Sequence, residues 1–386
     1  MIRRDQGGLT INLCNKCVMV DTRPDLKLDS EGICSACRSV EKKKQVNWSE
    51  RLQDWHDLIG WAKDRGVSNQ YDAIAAVSGG KDSHYIVHKL LGAGLRVLGV
   101  SFEPSSMTIM GQKNLDNLSR FMDIVQVKKN SKIYNQLRVT GLKQVGDSEW
   151  PNHVGIFTTV TRVAVEKGIP LIVWGENPQM EYAPPNEKSR EQSHSLDRKW
   201  LEEFGGLLGL RVKDLTGSKL LKFSDYDLAP YTWPTSEKIE KLGLRSVFLG
   251  NYFYWDTITQ VGIVQEQMGF LGRGGSAYWL FENIDDREAV IWHDFLGLLK
   301  YGYSRAQAQL SISIRHGYET REGAIETLKD PKWERYPIEI EQDFAHWLGI
   351  ERQELLEICT SYMNRSIWEG DAQTLKRIHK LPWNNK

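Results

Sequence analysis

Six residues, Ser78-Gly79-Gly80-Lys81-Asp82-Ser83, limit what this chain can fold into more than any other stretch. An apolar run, Ala73 to Val77, leads into them and reads as a buried strand. An amphipathic stretch follows at once, with Tyr85, Ile86, Val87, Leu90 and Leu91 at helical spacing. The order is therefore strand, glycine turn, helix. A helix N-terminus carries unpaired N–H groups and the positive end of the macrodipole. Two glycines let backbone approach a ligand closely. Lys81 adds a mobile cation, and Ser78 and Ser83 add hydroxyl donors. Together these features describe an anion site suited to phosphate.

The lysine follows the glycine pair and Asp82 comes next, so this is not the G-x-x-x-x-G-K-[ST] loop. SGGKDS resembles instead the PP-loop of the ATP pyrophosphatases, which include GMP synthetase, NAD synthetase, argininosuccinate synthetase and tRNA thiolation enzymes. The resemblance implies an adenine nucleotide alpha hydrolase-like fold and ATP cleaved between its α and β phosphates. AMP then passes to a substrate oxygen and is displaced by a nucleophile. Ser78, Gly79, Gly80, Lys81, Asp82 and Ser83 would bind ATP, with Lys81, Asp82 and Mg²⁺ acting on the phosphates. The plainer reading is an ordinary Gly-rich turn, with Asp82 as a carboxylate favoured by the helix dipole. All six residues in strand–helix context favour the nucleotide.

Charges balance at 50 basic against 50 acidic residues. A tRNA- or DNA-binding enzyme would usually show a basic excess, so no nucleic-acid partner is expected. No apolar run approaches a membrane span and no apolar leader is visible. The expectation is a soluble cytoplasmic protein.

Four of the five cysteines fall in residues 11–38 as Cys14-x-x-Cys17 and Cys34-x-x-Cys37, sixteen residues apart. Paired knuckles at this separation suit tetrahedral zinc held by four thiolates. Arg23-Pro24, Asp29-Ser30 and Gly32 suit the return between them. An iron–sulfur cluster, a disulfide pair and a redox CxxC are the alternatives. A cytoplasmic chain disfavours the disulfide. With all four positions filled, the zinc would be structural.

Residues 39–70 suggest a connecting helix with Trp48, Leu52, Trp55, Leu58 and Trp61 on one stripe, more in keeping with core than with a ligand platform. From residue 71, strands alternate with helices. Strands are expected at Leu95 to Phe102, Asp123 to Lys128 and Pro170 to Trp174. Helices are expected at about Gln112 to Met122, Lys132 to Leu142 and Gly155 to Lys167. This alternation implies an α/β fold with a doubly wound parallel sheet. Ligands sit at the carboxyl ends of such strands. SGGKDS, Glu103-Pro104-Ser105-Ser106 and Gly175-Glu176-Asn177-Pro178 should therefore line one cleft. Glu176 would hold Mg²⁺ or orient a substrate amide, unless it is a solvated loop carboxylate. Asp256, after the run Gly243 to Tyr254, is a second carboxylate candidate.

The expected domains are a four-cysteine zinc unit over 1–45, a nucleotide domain over 46–260 with an insertion at about 178–250, and a mostly helical region over 261–386. Asp285-Asp286 precede the first helix of that last region, Ala289 to Gly302. Further helices are expected near Ser304 to Gly317, Thr320 to Leu328, Glu339 to Leu348 and Arg352 to Asn364. Cys359 reads as a buried small apolar residue.

Further motifs narrow the family: C-x-x-C-V-M, G-I-C-x-x-C, GQKNLDNL at Gly111 to Leu118, GEN, FLGNYFYWD, and the G-Y-x-R-A…I-R-x-G-x-x-T-R-E-x-A run within Leu298 to Glu326. Together they resemble the N-acetyl sugar amidotransferases of bacterial surface-polysaccharide (LPS O-antigen and nonulosonate) biosynthesis, over nearly the whole chain. The resemblance implies conversion of a sugar acetamido group to an acetamidine, with AMP and pyrophosphate released. The resemblance leaves open whether the sugar is free, nucleotide-linked or carboxylated. A glutaminase would need a nucleophilic cysteine with a histidine base. Four cysteines are assigned to metal, and Cys359 lacks a G-x-C-x-G elbow. The resemblance implies separate glutaminase and cyclase-like subunits, similar to imidazole glycerol phosphate synthase, that deliver ammonia. The alternatives are a PP-loop tRNA sulfurtransferase and a non-enzymatic nucleotide-binding scaffold.

Overall fold

The structure is a computed structural model that describes residues 11–24, 26–104, 106–175, 208–215, 223–274, 277–286 and 288–384. Two compact units emerge. One comprises residues 45–276 and 280–289; the other comprises residues through 44, 277–279 and from 290 onward. Residues 261–274, expected in the helical region, thus group with the sheet. No described helix is long and apolar enough to cross a membrane.

The first unit holds a five-stranded parallel sheet in the order β3-β2-β1-β4-β5. The strands are β1 (Ala73–Ala76), β2 (Val97–Phe102), β3 (Asp123–Val127), β4 (Leu171–Trp174) and β5 (Arg245–Phe248). Ala73 pairs with Val97 on one side and Leu171 on the other. Side chains alternate between faces, as strand geometry requires. Ile74, Leu98, Ile172 and Phe248 pack with Val160, Val163 and Ala164 of the helix Trp150–Lys167. Ala73, Ala75, Val97, Leu171 and Val173 pack on the opposite face with residues of Trp48–Gly66, Lys81–Gly92 and Thr257–Met268. Both faces are therefore covered, which explains why the strands read as continuous apolar runs.

Within the tryptophan stripe, Trp55 and Leu58 are core, Trp48 and Trp61 are half-buried and Leu52 is exposed. The helix Trp150–Lys167 begins five residues before the expected Gly155, because Pro151 is tolerated in a helix's first turn. Asp256 proves to be a helix cap: its Oδ1 accepts from the N–H groups of Ile258 (3.1 Å) and Thr259 (3.3 Å).

The second unit contains the helices Glu288–Tyr301 (in its larger part), Arg305–His316, Arg321–Leu328, Glu341–Leu348 and Arg352–Ser361. Ser304 and Thr320 cap two of them through their hydroxyls. Buried Trp292 stacks on Phe344 at 5.0 Å and meets Tyr336 edge-on at 5.3 Å. A two-stranded pairing, Trp368–Glu369 with Lys376–Arg377, was not expected from the sequence.

Candidate functional site

Strand order reverses between β1 and β4, since β2 and β3 lie to one side and β5 to the other. Ligands of open α/β sheets bind at such a switch point, beyond the strand carboxyl ends. Ser78–Ser83 follows β1 there, and Gly175 follows β4. A Cβ on Gly175 would lie 3.2 Å from Asp82 Cβ, so the two strand ends adjoin. Glu176, Asn177 and Ser105 lie outside the described residues, as do 178–207 and 216–222 of the expected insertion.

The loop is compact. Gly79 sits at φ +91°, in the region that favours glycine, and a Cβ there would meet Gly111 O at 2.5 Å. The Ser78 N–H donates to Ser83 Oγ at 2.8 Å, and the Gly80 N–H reaches Ser78 Oγ at 3.4 Å. The helix starts at Lys81 with Gly80 as its cap residue, and no side chain caps it. Its first N–H groups are thus oriented for an anion. Buried His84 places Nδ1 3.0 Å from Gly80 O and packs against Phe270. Burial lowers its pKa to about 4, so the ring supports the loop as a neutral group.

Lys81 Nζ bonds Asp82 Oδ2 at 2.6 Å and Glu282 Oε1 at 2.9 Å. Sequence reading missed Glu282, two hundred residues away. It also took Asp285-Asp286 for a helix lead-in. Asp285 is instead half-buried beside the Ser78 side chain, and desolvation pushes it up to about 6, with the neighbouring Asp286 and Glu282 adding to the rise. Ser106 Oγ donates to Asp286 Oδ1 at 2.6 Å. The turn at 78–83 and Ser106 therefore both meet the segment 282–286, which no local motif announced.

A second charged cluster lies past β2 and β3. Lys129 Nζ donates to the Glu103 carbonyl and lies 4.1 Å from the Tyr134 ring centroid. Burial pulls its amine down to about 8, against the pull of Asp286, Glu149 and Glu103. Arg138 beside it is buried and is also lowered by desolvation. The only available signal was position, since Lys128-Lys129 ends a strand. A separate cavity of about 580 Å³ is lined by Arg162, Leu210, Tyr231, Trp233 and Lys238, away from the loop residues.

In the second unit, Cys14, Cys17, Cys34 and Cys37 are buried with all four sulfurs within 4.8 Å of one another. A Zn–S bond of about 2.3 Å requires tetrahedral S···S edges of about 3.8 Å. Cys17 Sγ and Cys34 Sγ are 3.7 Å apart, so the set fits zinc. Backbone N–H groups of Cys34 (3.2 Å) and Lys16 (3.4 Å) donate to Cys14 Sγ, and that of Cys37 donates to Cys34 Sγ at 3.4 Å. Such bonds stabilise thiolate. Arg315 is buried beside the cluster, bonds Cys37, and is held protonated by the charge of Cys17, Cys37 and Cys34. Arg321 Nε donates to Cys17 O at 3.2 Å, and Gln307 Nε2 to Val18 O at 2.6 Å. The helices Arg305–His316 and Arg321–Leu328 thus supply the cluster's counter-charge and its backbone support.

Residues 276–382 match the model of a family described as LPS biosynthesis protein WbpG-like, C-terminal domain. The match covers a little over a quarter of the chain, and it includes the acidic segment at the loop and the two helices beside the cysteines. It associates the chain with LPS biosynthesis and lends no support to the tRNA reading. A search of curated proteins finds no match.

Proposed function

We propose that this chain is an ATP-dependent, AMP-forming amidotransferase of LPS biosynthesis that converts an N-acetylated sugar into an acetamidino sugar. The observation that carries the reading is the SGGKDS turn at the sheet's switch point, with an uncapped helix start and Lys81 at its mouth. The similarity to a WbpG-like LPS biosynthesis protein supports the pathway.

An amide carbon is a weak electrophile, and oxide does not leave. Adenylation of the amide oxygen forms an O–P bond to the α phosphate and releases pyrophosphate. Ammonia then adds to carbon, the C–O bond breaks, AMP departs with the oxygen, and loss of a proton leaves C(=NH)–NH. In this reading the first N–H groups of the helix Lys81–Gly92 and the Lys81 amine hold phosphate oxygens as charge builds on the leaving pyrophosphate. Asp82, beside Lys81 and partly exposed, could hold Mg²⁺, with Glu176 as the proposed second carboxylate. Mg²⁺ would supply charge neutralisation at the phosphates. The four-cysteine cluster would hold structural zinc.

Ammonia must come from elsewhere. Cys359, the cysteine outside the cluster, is wholly buried in the helix Arg352–Ser361, and burial pushes its thiol up to about 12. That environment is unsuited to a nucleophile and supports separate glutaminase and cyclase-like partners. The sulfurtransferase reading needs cysteines near the nucleotide loop, yet residues 38–358 contain none. With ATP, a diacetamido sugar and an ammonium salt, the sugar should emerge lighter by about one mass unit as O is replaced by NH. Glutamine in place of ammonium should leave it unchanged. Glutamine-driven turnover by this chain alone would refute the two-partner reading.

A further inference from the structure

Lys81 is the one lysine of the phosphate loop, yet its amine is bonded to two carboxylates. The Asp82 contact is local and its carboxylate is partly exposed. The Glu282 contact is of another kind. Both side chains are almost out of solvent, 13% exposed for Lys81 and 12% for Glu282. An ion pair so placed is screened far less than a surface pair.

Glu282 is also held where it is. It lies on the segment 280–289, which packs with the sheet unit. Thr108 N–H donates to Asp285 O at 3.1 Å, and Thr108 Oγ1 donates to Ile284 O. Met107 pairs with Asp286 in a β-bridge, and Ile284 is buried in the core beneath the loop. Gly111 lets the segment close in, since a Cβ there would lie 2.5 Å from Asp285 Cα. A carboxylate delivered by so many fixed contacts is a built part of the loop's surroundings.

We infer that Glu282 is a positioning residue for Lys81, competing with nucleotide phosphate for the lysine amine and so setting how tightly pyrophosphate is held. This inference rests on the nucleotide reading above. The physical reason is charge balance. A phosphate at the helix start needs the amine, and the Glu282 carboxylate repels the same oxygens. Exchange of Glu282 for phosphate on Lys81 keeps the desolvated ammonium paired throughout. The reverse exchange gives the ammonium a partner as pyrophosphate leaves, which lowers the barrier to release.

Calorimetric titration of the full chain with pyrophosphate, without added magnesium, tests this directly. Glu282→Gln keeps the shape and removes the charge; Glu282→Ala removes the group. Both should bind pyrophosphate roughly tenfold more tightly than the parent chain, the change expected of one partly buried charge pair. The KM for ATP should fall in parallel, and pyrophosphate should inhibit more strongly. A merely structural role would instead lower the melting temperature and weaken binding together, and that result overturns the inference. Equal or weaker pyrophosphate binding in a variant that melts like the parent also overturns it. If the parent chain binds neither pyrophosphate nor ATP, the nucleotide reading itself falls, and this inference with it.

Discussion

Lys81→Ala should reduce ATP-dependent release of AMP and pyrophosphate by about a thousandfold or more, the scale of losing a main charge stabiliser at a leaving group. Three facts make the expected loss large. The amine stands at the mouth of an uncapped helix start, so it adds a full charge to a partial one. Its side chain is almost out of solvent, where a charge acts through a low effective dielectric. Its neighbours Asp82, Glu282 and Asp285 are acidic, so its removal leaves the loop flanked by carboxylates that repel phosphate. The fold should survive. Alanine is the best helix former, and loss of the Glu282 contact costs about 1–3 kcal/mol. Initial rates alongside a melting curve check this. Turnover near that of the parent chain would remove Lys81 from the site.

Cys34→Ser should release the metal and unfold the second unit. Cys34 is wholly buried, its sulfur lies 3.7 Å from that of Cys17, and its N–H donates to Cys14 Sγ. A structural zinc contributes about 10–16 kcal/mol of apparent binding energy at neutral pH, more than most domains have in total stability. The loss should not stay local. Arg315 would remain buried without its thiolate partners, and the four cysteines share a core cluster with Ala308 and Ile314. The helices of the LPS-biosynthesis match should therefore lose protection from hydrogen exchange together with residues 11–43. Elemental analysis of the parent chain should find one zinc per chain. Iron, or a Cys34→Ser variant that keeps both metal and melting temperature, would refute the assignment.

The strand–turn–helix and the grouping of the four cysteines were legible in the sequence because each is local. SGGKDS is six consecutive residues between an apolar run and an amphipathic one, and the cysteines are two knuckles with turn residues between them. The sheet was legible too, since strands covered on both faces read as short apolar runs. What surrounds the sites was not. Glu282 meets Lys81 only because Thr108, Gly111 and Met107 hold the segment 280–286 against the loop, and nothing in FENIDD marks that destination. Asp285-Asp286 just before a helix has the look of a charge-favoured start. Arg315 sits on a helix where a lone arginine is ordinarily a surface residue, and only the fold reveals four thiols beside it. His84 carried no signal in the sequence, yet it is buried and its ring bonds the glycine turn. Asp256 shows the opposite failure: position after a strand suggested chemistry, and the carboxylate caps a helix.

The account turns on one bond, from the sugar's amide oxygen to the α phosphorus of ATP. A diacetamido sugar labelled with oxygen-18 in its acetamido groups, incubated with the chain, ATP and an ammonium salt, follows that oxygen. Adenylation followed by displacement predicts that one labelled oxygen per turnover appears in AMP, with unlabelled pyrophosphate and an acetamidino product. Label that stays in the sugar while ATP is consumed, or that appears in inorganic phosphate alongside ADP, would contradict it.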